Sequence, residues 1–361
     1  MRLFLLLVAV ASIAAAADRV KLVHFHDEPD SQLALRDIAF DGAGRGIAVG
    51  SIAKSGRSRP AALVTTDAGR TWSLARLPSE GEWLFMDRRA AWFGDGRSVW
   101  RSEDLGKQWK KVKGIDWVAR VFFLDDKRGW AVGGHKGFWE TSDGGDHWTK
   151  VAVGEEPKTS RDTTIYNWIA FADQQNGIVT GYSRPPRRTA SQQRLPDWAA
   201  PEERPREWPG TNISFETHDA GKQWSFTTAS LFGAITRVEL TPSGRGLALI
   251  EFLNEFPFAA EVFSIDSQNS ITRAFRRSDR SVTDVAMIGN TGWIVAVEPP
   301  GKLLRTPIPG KLKLLRSDDL KNWAEVDVDY RAVAARAAMA VEGGRLWIVT
   351  DTGMILTLAS D

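Results

Sequence analysis

One short motif recurs five times in this chain and restricts what it can fold into. It reads TTDAGRTW from Thr65, SEDLGKQW from Ser102, TSDGGDHW from Thr141, THDAGKQW from Thr217 and SDDLKNW from Ser317. Each copy opens on Ser or Thr, places Asp two residues later and ends on Trp. A carboxylate at that spacing accepts hydrogen bonds from the amides of its own turn, and a glycine two residues on supplies a left-handed backbone at no steric cost. Asp67, Asp104, Asp143, Asp219 and Asp319 are therefore read as turn residues, with Trp72, Trp109, Trp148, Trp224 and Trp323 pointing back into an apolar layer. In the fifth copy Lys321 stands where glycine is expected and the turn is one residue shorter, so a distorted loop is expected there.

The five aspartates stand 37, 39, 76 and 100 residues apart. A period of about 40 residues is that of one four-stranded propeller blade. A second element precedes the boxes, a glycine followed by an apolar strand: GIAVG at Gly46, GWAVG at Gly129, GIVTG at Gly177, GLALI at Gly246 and GWIVA at Gly292, with AWFGD at Ala91 and RLWIV at Arg345 as relatives. That makes seven inner hairpins, with blades starting near residues 35, 83, 118, 166, 235, 282 and 332. The 76-residue gap holds one hairpin and is read as a single blade carrying an insertion over 183–210; the 100-residue gap holds two, one with a decayed box, EVFSIDSQNS, from Glu261. The last blade lacks an outer strand, while residues 20–25 alternate like an unassigned one. The fold expected is all-β, a seven-bladed β-propeller of four-stranded blades, closed by the N-terminal strand completing the last blade.

Residues 1–17 read as a secretory leader: Met1 and Arg2, an apolar run over 3–17 too short to span a bilayer, and small residues suited to cleavage after Ala17. Residues 18–361 then form one propeller domain, periplasmic or secreted. No cysteine occurs, which excludes disulfides and suits a bacterial periplasm better than an animal extracellular space. Lys and Arg number 47 against 45 Asp and Glu, so overall charge selects no partner.

The repeats resemble the BNR/Asp-box propellers, and the unit G-W-A-V-G…T-S-D-G-G-x-x-W is most similar to the photosystem II stability and assembly-factor-like family. That resemblance implies an exported, non-catalytic propeller that holds a membrane-protein precursor during assembly; it implies a protein client without naming it. Asp boxes also occur in sialidases and glucanases. A sialidase needs an arginine in an F-R-I-P-like setting and a Tyr nucleophile paired with Glu; no such element is present, and none of Tyr166, Tyr182 and Tyr330 has a Glu beside it in sequence. The alternative to a scaffold is a glycan-active enzyme using Asp37 and Asp284.

The boxes fall on the propeller face opposite the connections between second and third strands, so function is sought on that other face. The long connections there, 53–60, 183–210 and 298–310, carry Lys54, Arg57 and Arg59, then Arg184, Arg187, Arg188, Arg194, Arg204 and Arg206, then Lys302 and Arg305. The largest adds six prolines with Trp198 and Trp208, a stiffened loop with two aromatic anchors. A basic, loop-rich face follows. At the mouths of the inner strands stand Arg36, Arg120, Arg237 and Arg336, with Asp37, Asn167 and Asp284 at comparable positions. Facing the channel, they form a positive funnel suited to a carboxylate or an acidic peptide terminus; paired with Asp37, Asp284 or carbonyls, they only fill the axis.

His24 and His26 share a strand face, but the other histidines are scattered, so no metal site is expected. No cofactor motif or nucleic-acid module appears. Asn212-Ile213-Ser214 is a formal glycosylation acceptor. A mature chain without a transmembrane segment, monomeric by itself, completes the expectation.

Overall fold

The computed structural model describes residues 19–184, 209–252, 258–268, 270–299, 301–303 and 306–359. Apart from two short 3-10 turns, Ala152–Glu155 and Arg161–Thr163, the regular structure described is β-strand. Strand β1 (Arg19–Phe25) comes first. Five four-stranded antiparallel sheets follow: β2 to β5 (Ser31–Phe40, Gly46–Lys54, Arg57–Thr65, Ser73–Arg76), β6 to β9 (Trp83–Met86, Ala91–Gly94, Val99–Ser102, Lys110–Lys111), β10 to β13 (Val118–Phe123, Gly129–Gly133, Gly137–Thr141, Thr149–Lys150), β14 to β17 (Thr164–Phe171, Gly177–Ser183, Gly210–Thr217, Ser225–Leu231) and β18 to β21 (Gly233–Leu240, Gly246–Phe252, Ala260–Ile265, Ile271–Arg276). Then come β22 (Ser281–Ile288), β23 (Thr291–Val297), a separate hairpin of β24 (Gly301–Leu303) and β25 (Thr306–Ile308), β26 (Gly310–Ser317), β27 (Ala324–Val328), β28 (Val333–Ala334), β29 (Ala337–Glu342), β30 (Arg345–Thr350) and β31 (Met354–Ala359). These, without the hairpin, join β1 in a nine-stranded sheet ordered β22-β23-β26-β27-β1-β31-β30-β29, with β28 against β26.

Within that sheet β1 runs antiparallel along β31 but meets β27 only at two parallel pairs, Arg19 with Asp327 and Val20 with Val328. The N-terminal strand is thus the outer neighbour of the C-terminal strand, as the alternation over 20–25 leads one to expect. The first strand of each unit contacts the first strand of the next, and β29 returns to β2, so the sheets close on themselves as in a propeller.

Apolar strands in the middle of each sheet are buried on both faces, which is why GIAVG and GWAVG are almost continuously hydrophobic. The core lies between adjacent sheets. Ile47 and Val49 pack with Leu84 and Phe93 of the next sheet, and Leu35 and Leu63 pack with Trp347 and Ile355 of the last. Outer strands, touching one neighbour, are mostly exposed.

The box turns hold as their local chemistry requires. Thr65 Oγ1 donates to Asp67 Oδ1 (2.8 Å) and accepts from the Gly69 amide (3.0 Å), while the Thr71 amide donates to Asp67 Oδ1 (2.9 Å). The boxes of Asp104, Asp143 and Asp219 repeat this pattern. Gly69 has a second duty: a methyl group there would collide with Trp347. In the fifth copy Asp319 accepts from the amides of Lys321 (2.8 Å) and Asn322 (2.7 Å), and Leu320 alone is left-handed. Shortening removed the second left-handed position, so lysine fits in an ordered turn and the expected distortion is corrected. The five box tryptophans are half-buried against the inter-sheet clusters.

Two further expectations change. The 53–60 connection is a tight turn, because β3 and β4 stay paired to Lys54 and Arg57, with Ser55 and Gly56 left-handed between them; a turn of that kind matches strand twist. Asn212 is buried, its side chain bonded to the Gly233 carbonyl (2.8 Å) and the Ile235 amide (3.1 Å), so it links two sheets and offers no glycosylation site in the folded chain. No helix among the described residues is long and apolar enough to cross a membrane.

Candidate functional site

Five inner strands break register at the same depth: between Leu35 and Asp37 in β2, Val118 and Arg120 in β10, Tyr166 and Trp168 in β14, Ile235 and Arg237 in β18, and Val282 and Asp284 in β22. An extra residue in one strand bends it and re-aims side chains. Here the extra residue and its successor both reach the axis: Arg36 with Asp37, Ala119 with Arg120, Asn167 with Trp168, Thr236 with Arg237, and Thr283 with Asp284 line one cavity of about 530 Å³, which Arg336 also lines. All seven channel-mouth residues singled out from sequence therefore come together.

Their states differ. Asp37 is buried; its Oδ1 accepts from the Ile38 amide (2.9 Å) and its Oδ2 from the Leu84 amide on the next sheet (2.8 Å) and from Arg120 Nη1 (2.9 Å). Asp284 repeats the arrangement with the Val285 amide (2.8 Å), the Met339 amide (2.7 Å) and Arg237 Nη1 (2.6 Å). Each carboxylate thus ties two inner strands together and holds one guanidinium. Arg120 and Arg237 lie over the Trp168 ring at 4.3 and 4.7 Å, and the Trp168 indole donates to the Val238 carbonyl (2.8 Å). The result is a row across the channel, Asp37, Arg120, Trp168, Arg237, Asp284, in which charge and ring quadrupole alternate. Burial pushes the Asp284 carboxyl up, to about 6, against the opposing pull of Arg237 and the Met339 amide. Burial also works against the Arg237 charge, yet Asp284, Glu239 and Asp37 outweigh it and keep the guanidinium more firmly protonated than usual. Asn167 Nδ2 donates to the Ile235 carbonyl (2.9 Å), leaving its buried Oδ1 without a partner among the described residues.

Arg36 and Arg336 are exposed and make no ion pair among the described residues. Arg36 is on β2 and Arg336 immediately precedes β29, a strand that touches β2, and both line the cavity. Of the two arrangements open from sequence, a positive funnel or arginines paired internally, the structure places Arg120 and Arg237 in the second. Glu80, Glu82, Asp95 and Glu251 line the same cavity, and two of its four arginines are already matched by aspartates. Sequence reasoning missed these acids and Trp168, Thr236 and Thr283. A signal for part of them was present: a polar pair interrupting an apolar strand, as in Thr236-Arg237 and Thr283-Asp284, marks the bulge.

Of the loop residues, Arg57 and Arg59 are exposed on β4, and Arg184 lies over the Tyr182 ring at 5.3 Å. Arg187, Arg188, Arg194, Trp198, Arg204, Arg206, Trp208 and Arg305 lie outside the described residues. The cleavage site after Ala17 lies outside them too.

No family model matches the sequence, and no curated protein matches it. Solved structures do. YCF48 from Cyanidioschyzon merolae is 17% identical with a TM-score of 0.57, over 95% of this chain and 98% of that one. YCF48 solved bound to a D1 peptide is 15% identical with a TM-score of 0.58, over 94% and 100%. The GH74 enzyme of Niastella koreensis is 11% identical with a TM-score of 0.59, over 93% of this chain and 53% of that one. At these identities the likeness speaks for fold alone: the chain is a β-propeller resembling those of YCF48 and of the GH74 enzyme.

Proposed function

We propose that this chain is an exported, non-catalytic binding propeller of seven blades that assists assembly or stability of a protein complex by holding a protein client on its loop-rich basic face. The blade count takes the nine-stranded sheet as two blades meeting where β1 touches β27. The observation that carries the binding reading is the division among the arginines. Arg120 and Arg237 are spent on internal aspartates, whereas Arg36 and Arg336 stand exposed at the mouth with no carboxylate paired to them among the described residues. Two guanidiniums lining one cavity favour a carboxylate, whose oxygens match a guanidinium's fork of donors, so the group taken at the mouth is a peptide's free C-terminus or an acidic side chain. The YCF48 structure with a D1 peptide supports a peptide partner for a propeller of this shape.

The residues speak against a glycosidase. Asp37 and Asp284 each receive two backbone amides and an arginine and so tie inner strands together, a structural use of both carboxylates that weighs against attack on a sugar. Tyr166 is buried and donates to the Gly154 carbonyl (2.6 Å), and burial raises its phenol further above neutrality, so it is no nucleophile.

The test is binding of short peptides with free or amidated C-termini to the wild type and to Arg36→Ala/Arg336→Ala. Free-ended peptides should bind the wild type at least about tenfold better than amidated ones, and the double variant should lose that difference. Equal binding of both peptide forms removes the carboxylate reading. A glycoside screen in which Asp37→Ala abolishes a measured hydrolysis would establish the enzyme instead.

A further inference from the structure

We propose that strand β17 is a self-association edge, at which two copies of this chain pair β17 against β17, antiparallel and about a two-fold axis, so that the β14 to β17 sheet of one continues into that of the other. This goes beyond client binding and departs from the monomer expected from sequence.

The observation is a contrast among the outermost strands. β5, β9, β13, β21, β27 and β1 each carry charge, in Arg76, Lys110, Lys150, Arg273, Glu325 and Lys21 respectively, and β9 and β13 are only two residues long. Short length and charge are the means by which sheets keep open edges from pairing. β17 has neither. Its sequence is SFTTASL, seven residues without charge, proline or glycine. It pairs with β16 over its whole length, from Glu216 with Ser225 to Gly210 with Leu231, with no break in register. No strand among those described lies on its other side. Its outer edge is therefore an even row of backbone donors and acceptors, flanked by exposed Ser225, Thr227, Thr228, Ala229 and Ser230.

A two-fold interface must be complementary to itself. In a register centred on Thr228, that residue faces its own copy, Thr227 faces Ala229 and Phe226 faces Ser230. No like charges meet, and the hydroxyls of Thr228 can bond across the axis. The same operation on β27 or β21 sets carboxylates or guanidiniums near their own copies. The charge pattern thus selects β17 and selects a second copy of this chain as the occupant.

Sedimentation of the purified protein over a concentration series up to its solubility limit tests the idea. The wild type should pass from one chain mass to two. Thr228→Lys, at an exposed position that should fold normally by circular dichroism, should weaken the dimer roughly tenfold or more, because two ammonium groups then face each other. Mixing Thr228→Lys with Thr228→Glu should restore the doubled mass. In the wild type alone, amide exchange along β17 should slow as concentration rises, a readout that does not depend on any variant. A wild type that stays one chain at every concentration overturns the proposal, even if β17 takes an extended segment of another protein. A dimer unaffected by Thr228→Lys, with β17 amides unprotected, overturns it as well.

Discussion

Replacing Asp284 with Ala tests the channel most directly, because the consequences follow from three hydrogen bonds. The carboxylate is 3% exposed and receives the Val285 amide, the Met339 amide of the neighbouring inner strand and Arg237. Its removal leaves Arg237, itself only 15% exposed along the side chain, with Glu239 as its one remaining carboxylate in contact among the described residues. Breaking one partner out of a buried pair costs about 3–5 kcal/mol, since the remaining charge stays desolvated. At about 2 °C per kcal/mol for a chain of this size, the melting temperature should fall by roughly 6–10 °C. The control is Asp327→Ala, which removes the open Arg19–Asp327 pair (3.2 Å, both side chains more than half exposed); such a pair is worth about 0–1 kcal/mol. Thermal melts of the two variants beside the wild type give the comparison. If Asp284→Ala melts no lower than Asp327→Ala, the carboxylate does not hold the inner strands together and the row across the channel is not a structural unit. The pH dependence has a definite sign. Because burial raises the Asp284 carboxyl to about 6 in the folded state, above its ordinary value, its contribution is complete below about pH 4 and is lost as pH rises through 6. Asp284→Asn, which cannot ionise, should lack that loss between pH 4 and 7.

Other outcomes are expected from the turns. Gly69→Ala should destabilise by about 1–3 kcal/mol more than Gly56→Ala, because both glycines are left-handed but only Gly69 has Trp347 against it; equal melting temperatures would refute the packing role. Trp148→Ala should cost about 3 kcal/mol in urea unfolding, the low end for a large aromatic because the ring is half-buried. Asp67 is held at about 2 by the Thr71 hydroxyl and amide, with Thr65 adding to them, and Asp143 is likewise lowered by the His147 amide and ring. Depressed carboxyls contribute above their ordinary pKa and lose that contribution as pH falls through the folded value. Melting temperature should therefore drop steadily from about pH 4 towards 2, and less steeply in Asp67→Asn; parallel curves for the two proteins would show that the box carboxylates do not set acid stability.

Much of this architecture was legible because its determinants are local. A box turn is decided within seven or eight residues, and its Ser/Thr, Asp and Gly act on one another at any position in any fold. Strand order followed from the hairpins between boxes, and the pairing of β1 with β31 from an alternating segment with nowhere else to go. The channel was legible only as a set of polar residues at matching depths. That Arg120 is matched by Asp37, 83 residues away, and Arg237 by Asp284, 47 residues away, while Arg36 and Arg336 have no such partner among the described residues, depends on which strands the ring makes neighbours. The same holds for the acids at the mouth and for Trp168 between two guanidiniums. Sequence by itself determined the turns, the strands and the chemical types that reach the axis, since these rest on short-range sterics and hydrogen bonds. Only the tertiary structure decided which charges are already spent and which remain open to a partner, because a charge's state is set by the through-space neighbours and burial that closing the ring creates.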